Sequence, residues 1–175
     1  MNIQRIAVSV LACASMSAMA QALPENVIYF GGGQSAETAS ATTSTQTPGA
    51  IGYLHLSATS DTVWGIDIGF EGTMLDSTWG QSRAINQGTS YNLVIGHNLH
   101  RSEHGRVDAM LLAGLRETTT SCPRSYIGYQ CYADTKPDYE HSFNGGAMVT
   151  YSYRNLMVGL RLTSVSRQVV VGLRF

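Results

Sequence analysis

Charge is scarce in this sequence, and that scarcity narrows the class of protein. Charged residues make up 13% of the 175 residues, and the formal net charge is −1. Lysine occurs once, at Lys136. This balance excludes a strongly basic nucleic-acid-binding protein, so we expect no nucleic-acid partner. A surface that meets water carries more charge than this, so we expect part of the surface to face something else.

Beyond the N-terminus the sequence has neither a long apolar run nor a persistent helical period. Residues 1–22 have the pattern of a cleaved signal peptide, with Arg5 before the apolar stretch "IAVSVLACA" and small residues in "SAMAQA" after it. Cleavage is predicted after Ala20 or Ala22. A membrane anchor is the alternative, but the apolar stretch is too short to cross a bilayer comfortably. We therefore expect export into the periplasm.

Cysteine is also rare, with three residues in the chain. Two of them, Cys122 and Cys131, follow the predicted leader and lie in "SCPRSYIGYQCYA". Because exported proteins meet an oxidising compartment, we predict a disulfide between Cys122 and Cys131. A metal pair or a reactive thiol is the alternative, but no His or Asp stands at a useful spacing nearby. The sequence predicts no metal site and no cofactor.

What the chain does have is two-residue alternation of apolar and polar side chains. This period is typical of β-strands with two unlike faces. It predicts eight strands, near residues 26–34, 50–58, 62–73, 90–99, 106–118, 141–153, 156–163 and 166–175.

The connections between these strands alternate in length. The first, third and fifth connections are long, whereas "TSD", "HRSEHG" and "RN" are short, and only the last connection, near 164–165, breaks the rule. Long outer loops and short periplasmic turns characterise bacterial outer-membrane barrels. We therefore predict one domain over residues 23–175, an all-β, transmembrane, eight-stranded antiparallel up-and-down β-barrel. Both ends of the barrel chain are expected on the periplasmic side.

The charged residues decide which face of each strand meets lipid. In the third strand, Trp64 and Ile66 share one face, and Asp67 and Glu71 share the other with glycines. A narrow barrel interior needs small residues and paired charges. An arginine near the middle of the lipid would instead cost roughly 2–4 kcal/mol. The interior is therefore predicted to hold the ion-pairing residues Asp67, Glu71, Asp108, Arg106, Arg116, Arg161 and Arg174.

The first two strands have no firm phase. In "AIGYLHLSA", the preferred phase turns Gly52, Leu54, Leu56 and Ala58 toward lipid and leaves His55 in the interior. The opposite phase stays open. In the first strand, "YFGGG" fixes no phase, because glycine has no side chain to place.

The sequence closes with "VVVGLRF", in which Val169, Val171, Leu173 and Phe175 are predicted to face lipid. With the leader, the barrel size and the alternating loops, this strand resembles the small eight-stranded outer-membrane barrels of the OmpA, opacity and OmpX type. The resemblance implies a place in the bacterial outer membrane, in contact with outer-membrane lipid and lipopolysaccharide. It also implies that the outer-membrane assembly machinery recognises the C-terminal strand. We expect a monomer.

Some barrels of this class modify lipid A, and the deacylases among them use a His-x-Ser pair. His55 and Ser57 superficially match that pair. No third, acidic member accompanies them, and they are expected near the periplasmic end, away from lipid A in the outer leaflet. We interpret the match as chance, because short motifs often mislead. The sequence predicts no catalytic residue.

Together these patterns predict a non-enzymatic outer-membrane barrel that presents surface loops. Its role would be in envelope integrity or in contact with host or neighbouring cells, through a surface ligand that the sequence does not identify. An interior of eight strands is normally packed, which disfavours a pore. A lipid A-modifying enzyme and a soluble periplasmic lipocalin-like binder are the alternatives. The residues predicted to meet the ligand lie in the third long loop: Tyr126, Ile127, Tyr129 and Tyr132.

Overall fold

The structure is a computed structural model that describes residues 25–37, 44, 46–57, 59–75, 85–119 and 138–175. All regular structure within these residues is β-strand, and they include no helix long and apolar enough to cross a membrane. The strands are β1 (Asn26–Ser35), β2 (Gly49–Leu56), β3 (Thr62–Leu75), β4 (Ile85–Arg101), β5 (Gly105–Thr119), β6 (Tyr139–Tyr153), β7 (Leu156–Thr163) and β8 (Ser166–Arg174).

These strands form one sheet that closes on itself. Each strand pairs antiparallel with the next one along the chain, and β8 pairs antiparallel with β1. We call the end where β1–β2, β3–β4, β5–β6 and β7–β8 are connected the loop end, and the opposite end the turn end. The predicted all-β, eight-stranded antiparallel up-and-down barrel is confirmed. The predicted leader, residues 1–22, lies outside the described residues.

The strands differ in length around the barrel. β3 to β6 have 14 to 17 residues, whereas the other four have 8 to 10. β4 starts at Ile85, earlier than the alternation predicts, and pairs there with the end of β3, for example Gln87 with Thr73. The sequence before Ser90 is polar at positions that point to both faces, so it carries no two-residue signal.

Side chains alternate between the interior and the exterior, as a pleated strand requires. In β8 every second residue from Ser166 to Arg174 is buried, and those between them are exposed. The inward phases predicted from the charged residues of β3, β5 and β7 agree with this alternation. In β1 the phase that the sequence left open is settled, because Val27 and Tyr29 are buried and Ile28 and Phe30 are exposed.

The preferred phase of β2 was wrong. Leu54 and Leu56 are buried in the interior, and Ile51 is exposed on the outer wall. The reason is that the neighbouring interior is apolar, so leucine suits either face and alternation alone cannot choose between them. His55 therefore lies on the outer wall and not in the interior. Ala58 lies outside the described residues.

A β-bulge interrupts the pairing of β3 with β4. Phe70 pairs with Thr89 and Thr73 with Gln87, so two residues of β3 face one of β4. One of the two is Gly72, with φ of 75°. A side chain in this left-handed region is disfavoured, so glycine suits the position. At the bulge, Glu71 contacts Arg161 in the interior, and Thr73 contacts Glu37 just after β1.

Candidate functional site

The interior contains an ion-pair cluster centred on Arg161 of β7. Its guanidinium contacts Asp67 at 2.6 Å and Glu71 at 2.8 Å, and all three side chains are fully buried. The two acids lie on β3, so the cluster joins opposite parts of the barrel wall across the interior. Gly69 lies between them, and a Cβ there would come within 2.8 Å of Arg161 Nη2. The absence of a side chain at Gly69 leaves room for the guanidinium.

Neutral polar side chains complete the hydrogen bonding of the two acids. Tyr29 Oη donates to Asp67 at 2.6 Å, and Asn92 Nδ2 donates to the same carboxylate at 2.7 Å. Five neutral side chains hydrogen-bond Glu71: Ser90, Asn144, Thr163, Ser166 and Gln168. Buried charges are tolerated when they are paired and hydrogen-bonded in this way. Two-residue alternation was a signal for the inward residues of β4, β6, β7 and β8, but it fixed no phase for Tyr29 and cannot say which groups meet across an interior.

An apolar cluster occupies the interior beside this network. In β5 the order from the turn end is Arg106 and Asp108, then Met110 and Leu112, then Arg116. Apolar side chains therefore separate the charges near the two ends. The cluster consists of Val27, Tyr29, Leu54, Leu56, Val63, Val94, Met110, Leu112, Met148, Met157 and Val170, each buried.

A second ion pair lies in the interior near the turn end. Arg106 Nη2 contacts Asp108 Oδ1 at 2.6 Å, and Asn98 Nδ2 donates to the same oxygen at 2.9 Å. Arg174 is also buried, interacts electrostatically with both members of the pair and donates from Nη1 to the Arg154 carbonyl oxygen at 3.1 Å. This end of the interior therefore holds two arginines around one carboxylate.

Arg116 lies at the loop end, and its partner was not foreseen. Arg116 Nη1 is 3.5 Å from Oε1 of Glu37, a residue just after β1. The partner of Arg116 is therefore not one of the three acids that the sequence assigns to the interior. Thr73 Oγ1 donates to the other oxygen of Glu37 at 2.8 Å. The sequence gives no signal for this pair because Glu37 stands in a polar stretch without alternation. The first residues of the first loop are therefore fixed to the wall formed by β3 and β5.

The outer wall is apolar on every strand. Large aliphatic and aromatic side chains are 38–73% exposed, among them Phe30, Ile51, Ile66, Leu93, Leu111, Phe143, Leu160 and Val171, one from each strand in order. Val169, Leu173 and Phe175, the other members of the face predicted for the C-terminal strand, are exposed as well. Exposed aromatic rings lie toward both ends of the wall: Phe70, Tyr91 and Phe143 toward the loop end, and Trp64, Tyr151, Tyr153 and Phe175 toward the turn end.

The His55 and Ser57 pair does not form a catalytic arrangement in the described contacts. His55 Nδ1 lies 3.1 Å from Asn26 Oδ1, and Nε2 lies 4.0 Å from Glu25. Ser57 Oγ instead accepts from the amide of Ser60 at 3.1 Å. A nucleophile must lie within hydrogen-bonding reach of its base, and these contacts direct the two side chains to other partners.

Several predicted site residues cannot be placed. Cys122, Cys131 and the loop residues Tyr126, Ile127, Tyr129 and Tyr132 lie outside the described residues. The disulfide, the loop contact and recognition of the C-terminal strand therefore stay predictions. In the part of the chain that the structure describes, no three His, Cys, Asp or Glu residues are grouped so that they could hold a metal ion.

The fold and the side chains define a class: a closed eight-stranded antiparallel β-barrel with ion pairs inside and an apolar wall outside. Among solved structures, the chain is similar to the outer membrane protein Ail of Yersinia pestis in a phospholipid bilayer nanodisc. The two share 14% identity with a TM-score of 0.48, over 87% of this chain and 99% of that one. This likeness carries no information on function. No family model and no curated protein matches the chain.

Proposed function

We propose that the protein is an integral barrel of the bacterial outer membrane, without enzymatic activity, that holds loops at the cell surface. One observation carries the proposal: the outer wall exposes large apolar side chains on all eight strands, while Asp67, Glu71 and Arg161 are buried inside. Soluble monomers rarely expose a continuous apolar patch larger than a few hundred Å². A hydrocarbon environment is the medium that suits such a wall, and a closed barrel satisfies its own backbone there.

The aromatic rings support the same environment. Rings cluster toward both ends of the apolar wall, with Phe143 73% exposed toward the loop end and Phe175 59% exposed toward the turn end. Aromatic side chains favour the two interfaces of a membrane, where their rings meet both hydrocarbon and head groups. The separation of the two groups by aliphatic residues such as Leu111 fits a barrel that spans one bilayer.

A soluble lipocalin-like binder would require the reverse arrangement. Such a barrel keeps a polar outer surface and holds an apolar ligand in its interior. Here the interior contains fully buried side chains such as Arg161, Leu54 and Met148, and the exterior is apolar. The same packed interior argues against a pore. We therefore assign the function of the protein to its loops, which would act in envelope integrity or in contact with other cells.

The third loop is the part that we propose for binding. Tyr126, Ile127, Tyr129 and Tyr132 lie between the two cysteines or directly after them. A disulfide would reduce the entropy that the loop loses on binding, and tyrosine is enriched among binding hot spots. Replacement of residues 120–137 by a short turn is expected to leave the barrel folded and to remove adhesion of cells that carry the protein. Unchanged adhesion would contradict this role.

Fractionation of cells tests the membrane assignment. The protein is expected in the outer-membrane fraction, soluble only with detergent, and its electrophoretic migration in unboiled samples should differ from that after boiling. Recovery in the periplasm without detergent would contradict the proposal.

A deletion strain is expected to keep its lipid A unchanged, and an altered lipid A would restore the enzymatic alternative at His55 and Ser57.

A further inference from the structure

A cluster of half-buried and exposed polar and aromatic side chains lies at the turn end, beside the apolar wall. We call it the β2 corner: Glu25, Tyr53, His55, Trp64 and Arg101. It lies at the turn-end border of a wall whose large exposed side chains are mainly aliphatic and aromatic. Its rings lie on neighbouring strands, since His55 of β2 pairs directly with Trp64 of β3.

The rings of the corner are held in fixed positions. Asn26 Oδ1 accepts from Tyr53 Oη at 2.7 Å and also contacts His55 Nδ1 at 3.1 Å. The ring centroids of His55 and Trp64 are 5.3 Å apart, and those of Tyr53 and Trp64 are 6.5 Å apart in an edge-to-face arrangement. Trp64 still exposes 52% of its surface. An ordered, half-exposed indole is the side chain best suited to receive a cation.

Two opposite charges flank these rings. On the β1 side, the carboxylate of Glu25 is 41% exposed and lies 4.0 Å from His55 Nε2, at the outer limit of an ion pair. On the β4 side, Arg101 Nη2 donates to the Ser57 carbonyl oxygen at 2.9 Å and lies 3.8 Å from Asp61 Oδ1. The Arg101 side chain is 35% exposed, so part of the guanidinium still faces outward. The corner therefore presents an acid, an aromatic surface and a guanidinium at the border of the apolar wall.

We propose that the β2 corner binds the head group of a phospholipid that carries a primary ammonium group, phosphatidylethanolamine. The ammonium would donate to Glu25 and lie against Trp64, the phosphate would accept from Arg101, and the acyl chains would follow the apolar wall past Ile66 and Ile95. Acid, ring and guanidinium thus match the cationic and anionic halves of a zwitterion. This inference rests on the proposed function, because it requires the outer wall to lie in a bilayer.

Native mass spectrometry of the detergent-solubilised barrel tests the proposal. The protein is offered equal amounts of phosphatidylethanolamine and phosphatidylglycerol, which has no ammonium group. We expect preferential retention of phosphatidylethanolamine. Glu25→Gln and Trp64→Leu should each weaken that retention about two- to fivefold, the equivalent of roughly 0.5–1 kcal/mol for an exposed cation–π contact.

Matched controls separate this site from general lipid adhesion. Glu103→Gln removes a carboxylate that is 89% exposed at the same end, and Phe143→Leu removes an exposed ring near the other end. Both should retain the lipid as the unmodified protein does. Equal retention of the two lipids, or an equal loss in the controls, would overturn the proposal. If Trp64→Leu does not fold, Glu25→Gln decides alone, because it leaves the strands intact.

The two proposals fail in different ways. A heat-modifiable barrel in the outer-membrane fraction that shows no lipid preference would overturn the head-group site and leave the membrane assignment standing. A protein recovered in the periplasm would overturn both.

Discussion

At the residue scale, the interior depends most on Arg161. It is the one cation in contact with both Asp67 and Glu71 among the residues described, and all three side chains are fully buried. Burial of charge is costly, and the pairing offsets that cost only while each partner is present. The cluster is therefore less a source of net stability than a set of groups that cannot be removed singly.

Arg161→Met should destabilise the barrel by about 3–5 kcal/mol, because it leaves two buried carboxylates without their cation. Urea unfolding from lipid vesicles, followed by the loss of heat-modifiable migration, measures the change. Arg167→Met serves as the control, since Arg167 is exposed on the outer face of β8 and its loss should change stability little. A loss below about 1 kcal/mol for Arg161→Met would be the signature of an ordinary surface charge and would contradict the cluster's role.

Alternation and charge together assign Arg161, Asp67 and Glu71 to the interior, because charged side chains are costly in lipid. Alternation does not tell which side chains meet across the interior, so the contacts with Tyr29 and Asn144 are visible only in the structure. Glu37 also could not be predicted from alternation. It lies outside any periodic stretch, and only the structure places it near Arg116.

At the scale of strands, the bulge in β3 is the local feature that shapes the mouth of the barrel. Gly72 has φ of 75° there, and a Cβ on it would contact the guanidinium of Arg116. Beyond the bulge, Thr73 accepts from the amide of Ser44 at 2.9 Å and donates to Glu37. The bulge thus links the wall to the first loop.

Gly72→Ala should cost about 1–2 kcal/mol, the usual penalty for a side chain in the left-handed region. Gly32→Ala is the matched control, because a Cβ at Gly32 meets no atom within 4 Å and its φ is not positive. That control should be neutral or slightly stabilising. Unfolding in urea compares the two variants, and equal midpoints would show that the bulge does not require glycine.

The strand bounds were largely predictable, but the facing of β2 was not. Where a strand alternates between charge and hydrocarbon, as in β3, the interior face is evident. In β2 both faces are apolar, because Leu54 and Leu56 meet other apolar side chains in the interior while Ile51 faces outward. The predicted start of β4 was wrong for the opposite reason, because the residues just before Ser90 are polar on both faces.

At the scale of the whole molecule, the faces of the barrel wall differ in polarity. Hydrophobic side chains cover the outside of a closed sheet, and charges neutralise one another within it. The apolar wall, the aromatic rings toward its two ends and the paired charges inside all follow if the solvent of the outer wall is lipid. An exposed apolar wall of this extent would be unfavourable in water.

Brominated-lipid quenching of tryptophan fluorescence tests this arrangement most directly. Tryptophan is introduced singly by Leu111→Trp or Leu112→Trp, in a chain whose own Trp64 and Trp79 are replaced by Phe, and the barrel is reconstituted in vesicles. Leu111 is 69% exposed and Leu112 is 2% exposed, although they are adjacent. We expect strong quenching for Leu111→Trp and little for Leu112→Trp. The reverse order, or equal quenching at both positions, would contradict this arrangement.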